Sequence, residues 1–427
     1  MRIVDKGKDM YWGWFIVTGA FLILAASYGT RYSFGVFVRP MFVDNQWQMS
    51  AISVGFSINL LIYALSSLVS GRLIDRMAPR WIMTIGACIA ALGFILTGFV
   101  RTPGQLYITY GVLCGMGSAG IGVVVSSASV GKWFVRRRGI AIGVASIGIG
   151  LGTMALTPVA GYIVKNYHWR TGFIFLGIIV LIVGVLVSQV LMRKSRPEQY
   201  GLLPDGDLPE TRPFVQGEGI PVLTYTSPAT VLKDHHFWII VLCFSGAIMA
   251  QMMVFVHQVS YAVDNNIGRI AAASSLGAIG VASIFGRFFF GWLSDQLNDP
   301  KYSALLGYII MASGMFILLN IKTSVTLYIY ALVFGFGYGS LAPMMPVLLS
   351  DRFGRDVLGS AYGFLTFFST GIGGAIGPVL GGIIYDTTGS YNRAWYLNIF
   401  ILIFISLLMC TLKTKRQLAE AVSERRE

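Results

Sequence analysis

Twelve continuous apolar runs, each about 20 residues or longer, divide this chain and leave it few ways to fold. A helix of about 20 apolar residues crosses the hydrocarbon of a bilayer. Inside that layer every backbone N–H and C=O must be satisfied within a helix or around a closed barrel. Barrel strands alternate apolar and polar residues, and these runs do not alternate, so the reading is an all-α integral membrane protein. The approximate limits are 12–38, 51–74, 81–100, 106–130, 140–164 and 172–192 in one half. The other half has 237–263, 270–294, 303–321, 325–350, 357–385 and 394–412. Composition agrees, with 55% hydrophobic and 12% charged residues against about 25% charged in a soluble domain. The first run is too long for a signal peptide and lacks a cleavage site.

The two sets of six runs repeat each other at one offset. Gly71-Arg72-Leu73-Ile74-Asp75 closes the second run, and Gly291-Trp292-Leu293-Ser294-Asp295 closes the eighth. The same spacing pairs Gly115-Met116-Gly117 with Gly335-Phe336-Gly337, Gly143 with Gly363, Pro158 with Pro378 and Gly161 with Gly381. Landmarks that hold one offset mark an internal duplication, the construction of many membrane carriers. The expected organisation is a six-helix bundle over 1–192, a polar linker containing Pro and Gly over 193–236, and a second six-helix bundle with a short tail over 237–427. A short interfacial helix is expected within 227–236.

The formal charge of +13 would suggest nucleic acid in a soluble chain; here it follows the excess of basic residues in cytoplasmic loops. With both termini inside, seven of the 32 lysines and arginines fall in outer loops, two (Arg31 and Arg287) within spans, and 23 on the inner side. Both termini are therefore read as cytoplasmic, in a plasma or bacterial inner membrane. Cys88, Cys114, Cys243 and Cys410 stand singly in apolar runs and read as buried, inert thiols without paired or metal spacing. His235-His236 reads as a solvated pair at the membrane surface rather than a metal site. No cofactor or metal is expected.

Gly71-Arg72-Leu73-Ile74-Asp75-Arg76-Met77-Ala78-Pro79-Arg80 resembles the loop motif that joins helices 2 and 3 in the major facilitator superfamily, with Ala78 and Trp81 departing from its pattern. Gly71 and Gly291 permit close helix approach. Asp75 and Asp295 can receive helix N-termini and arginines of the facing half. With Arg76 and Arg80 they are candidate gating residues; static loop capping is the alternative. Asp9-Met10-Tyr11-Trp12-Gly13-Trp14, and Trp133-Phe134-Val135-Arg136-Arg137-Arg138 with the Gly/Ala run through Ala145, resemble the starts of helices 1 and 5 in the monocarboxylate transporters. Met10 and Tyr11 stand where that family has small residues. The likeness spans all twelve runs and implies a lactate- or pyruvate-like substrate, proton coupling and a lone functional unit.

Arg287 carries the chemistry of this reading. It lies eight residues before Asp295, about 12 Å into its helix at 1.5 Å per residue. An unpaired arginine there costs roughly 2.5–3.5 kcal/mol, and such residues mark substrate paths. No Asp or Glu lies mid-span, so its guanidinium is available to a carboxylate through two parallel hydrogen bonds. A packing arginine bonded to helix carbonyls is the alternative. The resemblance matches Arg287 to the family's arginine of helix 8, but the acidic residue the family commonly has four positions earlier is Ser283 here. The proton must then use another group, with His257, Asp264 and Asp386 as candidates near the outer mouth. Arg31 and Tyr32 lie at the outer end of helix 1, where Arg31 faces either the cavity or lipid headgroups. Asn59, Tyr338 and Phe367 complete the candidate lining for a small organic anion.

No Gly-Lys-Ser/Thr phosphate loop and no paired intramembrane carboxylates occur, which argues against ATP-driven transport and against an enzyme. The reading is a secondary carrier working by alternating access. Alternatives are an oxalate-formate-like anion exchanger with Arg31 and Arg287 as two cationic poles, and a non-transporting sensor on a carrier fold.

Overall fold

The computed structural model describes residues 11–47, 49–206, 228–297 and 299–414. Asp9 and Met10, residues 207–227 of the linker, the tail beyond Thr414 and the side chain of Asp386 lie outside the described residues. Among the described residues twelve helices are long and apolar enough to cross a membrane. Spans 1 to 6 are Trp12–Val38, Val54–Arg76, Pro79–Thr97, Pro103–Trp133, Arg138–Asn166 and Trp169–Val190. Spans 7 to 12 are His235–Asp264, Ser274–Gln296, Lys301–Leu319, Ser324–Phe353, Leu358–Tyr385 and Asn392–Cys410. The sequence limits agree within a few residues, because apolar runs end where turn residues and charges begin. Pro79 and Pro103 occupy first turns, where the missing N–H has no helical partner to lose. The short helix Pro228–Lys233 precedes span 7.

Packing repeats as the sequence does. In the first set, span 1 packs on 5, span 3 on 6, and span 4 on both 2 and 3. In the second, span 7 packs on 11, span 9 on 12, and span 10 on both 8 and 9. The sets meet along two seams, span 5 against 8 and span 2 against 11, which exchange under the repeat. An even number of spans brings both chain ends to one side, termed the terminal side; the other is the distal side.

Near the terminal side each seam closes on glycine. A methyl added at Gly71 would lie 3.0 Å from the Gly359 carbonyl carbon and 3.2 Å from the Gly363 Cα. One added at Gly291 would lie 3.0 Å from the Gly139 carbonyl carbon and 3.3 Å from the Gly143 Cα. Backbones this close leave no room for a Cβ, so glycine is required on both faces. Spans 4 and 11 each contain a π-helical stretch, Tyr107–Cys114 and Phe367–Gly373, and spans 5 and 11 carry Pro158 and Pro378 in their interiors. Cys114 and Cys243 are buried as expected, but Cys88 and Cys410 are exposed. An apolar outer face satisfies a thiol in a membrane protein, so an apolar run does not distinguish core from lipid contact.

Candidate functional site: two arginines between the helical sets

Arg287 is 3% exposed at the seam of spans 5 and 8. Its Nη1 donates to the Ser146 carbonyl at 2.8 Å, a bond that joins the two sets. Its guanidinium carbon lies 5.9 Å from the Tyr338 ring centre, and Tyr338 packs edge-on against Phe255 with centroids 5.5 Å apart. Nε is buried without a hydrogen-bond partner, which leaves a donor whose desolvation costs about 1–3 kcal/mol. Gly150 faces the same spot: a methyl added to it would sit 3.0 Å from Ile284 Cγ1 and 3.6 Å from Nη1.

Arg31 is buried at 4% exposure. Its guanidinium carbon lies 4.1 Å from the centre of the Tyr63 ring, so the structure removes the alternative of snorkelling to headgroups. Nε and Nη2 have no hydrogen-bond partner. The Tyr63 and Tyr28 hydroxyls are 3.0 Å apart, which fixes the ring beneath the arginine. Tyr32 is 43% exposed and lies within electrostatic range of Arg31, Tyr63, Arg287 and Tyr338. The structure thus gathers Arg31, Tyr32, Arg287 and Tyr338 and adds Tyr63 and Ser146, which the sequence reading missed. The repeat held a signal for Tyr63: it occupies in the first set the position of Ser283 in the second. Ser146 contributes only its carbonyl, which no side-chain pattern reveals.

The remaining candidates lie elsewhere. Asn59 is 1% exposed and donates to the Tyr110 carbonyl at 2.8 Å, tying span 2 to span 4. Phe367 sits in the π-helical stretch with its ring 5.2 Å from Phe368, beside the seam where Gly371 meets Ala64. His257 Nε2 lies 2.8 Å from the Pro378 carbonyl and Nδ1 lies 3.4 Å from the Tyr391 hydroxyl; both ring nitrogens are occupied. Asp264 is exposed at the distal end of span 7. Ser283, in place of an acid, bonds its own helix at the Gly280 carbonyl, 2.7 Å away.

On the terminal side two carboxylates cap the helices facing them. Asp75 accepts from the Gly359 and Ser360 N–H groups at 2.9 and 2.8 Å and from the Ser360 hydroxyl at 2.7 Å. Asp295 accepts from the Gly139 and Ile140 N–H groups at 2.7 and 2.8 Å. Each satisfies orphan donors at a helix start and meets its positive end. Arg76 is exposed and Arg80 stacks over its neighbour Trp81 at 5.0 Å; among the described residues neither makes an ion pair across the seams. Other groups do cross. Arg138 donates to the Ser350 hydroxyl at 2.7 Å and Arg355 to the Lys132 carbonyl at 2.9 Å. From the linker, Glu198 pairs with Arg355 at 3.0 Å and Arg196 with Asp356 at 2.8 Å. Asp205 accepts from the Val135, Arg136 and Arg137 N–H groups at 2.9–3.2 Å.

Paired seams closed by glycine and capped reciprocally by carboxylates, around a charged centre, are the build of a membrane carrier with two repeated halves. The sequence pattern of the Major Facilitator Superfamily matches residues 13–374, and the chain belongs to that family of transporters. Within it the chain groups with the monocarboxylate transporters. It is 30% identical to Monocarboxylate transporter 12-B of Danio rerio, over 94% of this chain and 87% of that one. Identity is 29% with Monocarboxylate transporter 12 of Homo sapiens, over 94% and 80%, and 27% with human Monocarboxylate transporter 2, over 91% and 83%. The fold is similar to the crystal structure of FucP in the outward conformation, with TM-score 0.70, 15% identity and coverage of 93% and 98%. It is also similar to the proton:xylose symporter XylE, with TM-score 0.70, 16% identity and coverage of 96% and 99%.

Proposed function

We propose that the protein carries a small monocarboxylate of the lactate or pyruvate class through the membrane with a proton, by alternating access centred on Arg287. The observation that carries this reading is a buried guanidinium between the helical sets, bonded to a backbone carbonyl and paired with no carboxylate among the described residues. A substrate carboxylate is a better acceptor than the Ser146 carbonyl, because charge-assisted bonds are roughly twice as strong as neutral ones. Binding therefore competes with one of the bonds that joins the halves.

In this reading the rocking units are residues 1–192 and 237–427, joined by the linker 193–236, and the monomer is the functional unit. The terminal side is cytoplasmic, in the plasma or bacterial inner membrane, and its gate is shut by Asp75 and Asp295. Proton coupling follows from the kinship and from energetics: a neutral load avoids moving charge against the potential, about 2.3 kcal/mol per charge per 100 mV. Of the acceptors considered, Asp264 is exposed whereas both His257 nitrogens are engaged, so we assign the proton to Asp264.

The test is uptake of radiolabelled L-lactate into proteoliposomes, with and without an inward proton gradient, for wild type and Arg287→Ala. Gradient-stimulated uptake that vanishes in the variant supports the reading; lactate binding without flux would overturn it in favour of a sensor. A second reading, anion exchange of a dicarboxylate, is favoured by one observation: Arg31 also presents unpartnered nitrogens within range of the same tyrosine. It requires uptake that depends on an internal anion, ignores the gradient and is lost in Arg31→Ala.

A further inference from the structure

Away from Arg31 and Arg287, at the terminal-side ends of spans 1 and 6, four side chains from two separate parts of the chain converge. Trp12 begins span 1, Arg193 and Lys194 follow the end of span 6 at Val190, and Tyr200 ends the helical turn Pro197–Tyr200. The Lys194 ammonium lies 4.3 Å from the ring centres of both Trp12 and Tyr200. The Arg193 guanidinium carbon lies 5.3 Å from the same Trp12 ring. Among the described residues neither cation has an ion pair or a hydrogen-bond acceptor. Two neighbouring like charges are therefore held on one indole with no protein carboxylate among the described residues paired to either. Burial and the Arg193 charge hold the Lys194 ammonium below its ordinary pKa, and an anion seated between the two cations relieves the repulsion.

The approach to this cluster is apolar. Ile182, Leu186 and Val190, at i, i+4 and i+8 on span 6, are 52%, 60% and 59% exposed, and the stripe rises along the hydrocarbon to Arg193 and Lys194. Aromatic rings and long basic chains at span ends occupy the headgroup level. Arginine grips phosphate oxygens with a planar fork, and lysine adds a point charge.

We propose that Trp12, Arg193, Lys194 and Tyr200 form a binding site for the phosphodiester headgroup of an anionic phospholipid, with its acyl chain along Ile182, Leu186 and Val190. The apolar stripe favours the lipid over free phosphate as the source of the anion.

The experiment is native mass spectrometry of the full-length protein titrated with phosphatidylglycerol or phosphatidylcholine of the same chains. The expected result is selective retention of phosphatidylglycerol by the wild type and binding about thirtyfold weaker in R193Q/K194Q, the ~2 kcal/mol of two interfacial basic residues at ~1 kcal/mol each. R72Q/R137Q, which removes two exposed cations from the same side, should retain the lipid as the wild type does. Y200A, which keeps both charges and removes one aromatic wall, should weaken retention and reports on the site even if R193Q/K194Q does not fold. Equal loss in the two double variants would reduce the effect to general surface charge and overturn the site. So would no preference for phosphatidylglycerol in the wild type, or its full displacement by millimolar inorganic phosphate.

Discussion

Two buried arginines are held by different means, and the difference predicts different responses to substitution. Arg287 has a carbonyl for one nitrogen and a vacant donor beside it. Arg287→Lys keeps the charge but loses the planar fork. At about 1.5–3 kcal/mol for a hydrogen bond to a charged group, its apparent affinity for a monocarboxylate should fall roughly 10- to 150-fold; a KM within threefold of wild type in proteoliposomes would contradict this. Arg31 depends on the Tyr63 ring face. Tyr63→Phe keeps that face and should keep uptake near wild type, whereas Tyr63→Leu frees the guanidinium and should lower uptake severalfold. Equal uptake in the two variants would deny Tyr63 this role. Arg287 was legible because a lone charge in an apolar run is expensive. Tyr63 was not, because a tyrosine in a span is ordinary until the helix beside it is known.

At the level of elements, the seams predict where motion is resisted. Asp295 caps the start of span 5, and replacing such a cap typically costs about 0.5–2 kcal/mol. Asp295→Ala should therefore shift the gate equilibrium about 2- to 30-fold toward opening on the terminal side, read as faster labelling of a cysteine in place of the buried Ser350; unchanged labelling would mean the cap is static. Gly291→Val meets the backbone of Gly139 and Gly143, so it should wedge spans 5 and 8 apart and abolish turnover while leaving the protein folded. A thermal melt beside the flux assay separates these outcomes. The reciprocal Gly-x-x-x-Asp pairs were readable from the repeat alone. The capping partners were only partly so: Asp75 and Asp295 were expected to receive helix starts and do, whereas Arg76 and Arg80, also expected at the gate, make no ion pair across the seams among the described residues. A loop charge near a motif finds its partner only through the facing half.

For the molecule as a whole, the linker adds a strap across the terminal side. Its pairs Glu198–Arg355 and Arg196–Asp356 are partly solvent-exposed, where an ion pair is worth about 0.2–1 kcal/mol and weakens with salt. Glu198→Arg should speed opening on the terminal side by a few-fold, and the swap E198R/R355E should restore it; a swap no better than the single change would show that the pair does not hold the halves. The sequence by itself determined that this chain crosses a membrane twelve times, that its halves are copies, and that one arginine stands where charge is costly. Those properties follow from hydrocarbon thickness, a fixed offset and the price of desolvation, none of which requires knowing which helices touch. Only the tertiary structure decided that span 5 meets span 8, that Arg31 turns onto Tyr63 and away from headgroups, that Asn59 ties two helices together, and that a linker aspartate caps a loop about 70 residues away in sequence. Each depends on the rotation and pairing of helices, and in a membrane apolar runs leave both open because lipid and core satisfy the same side chains.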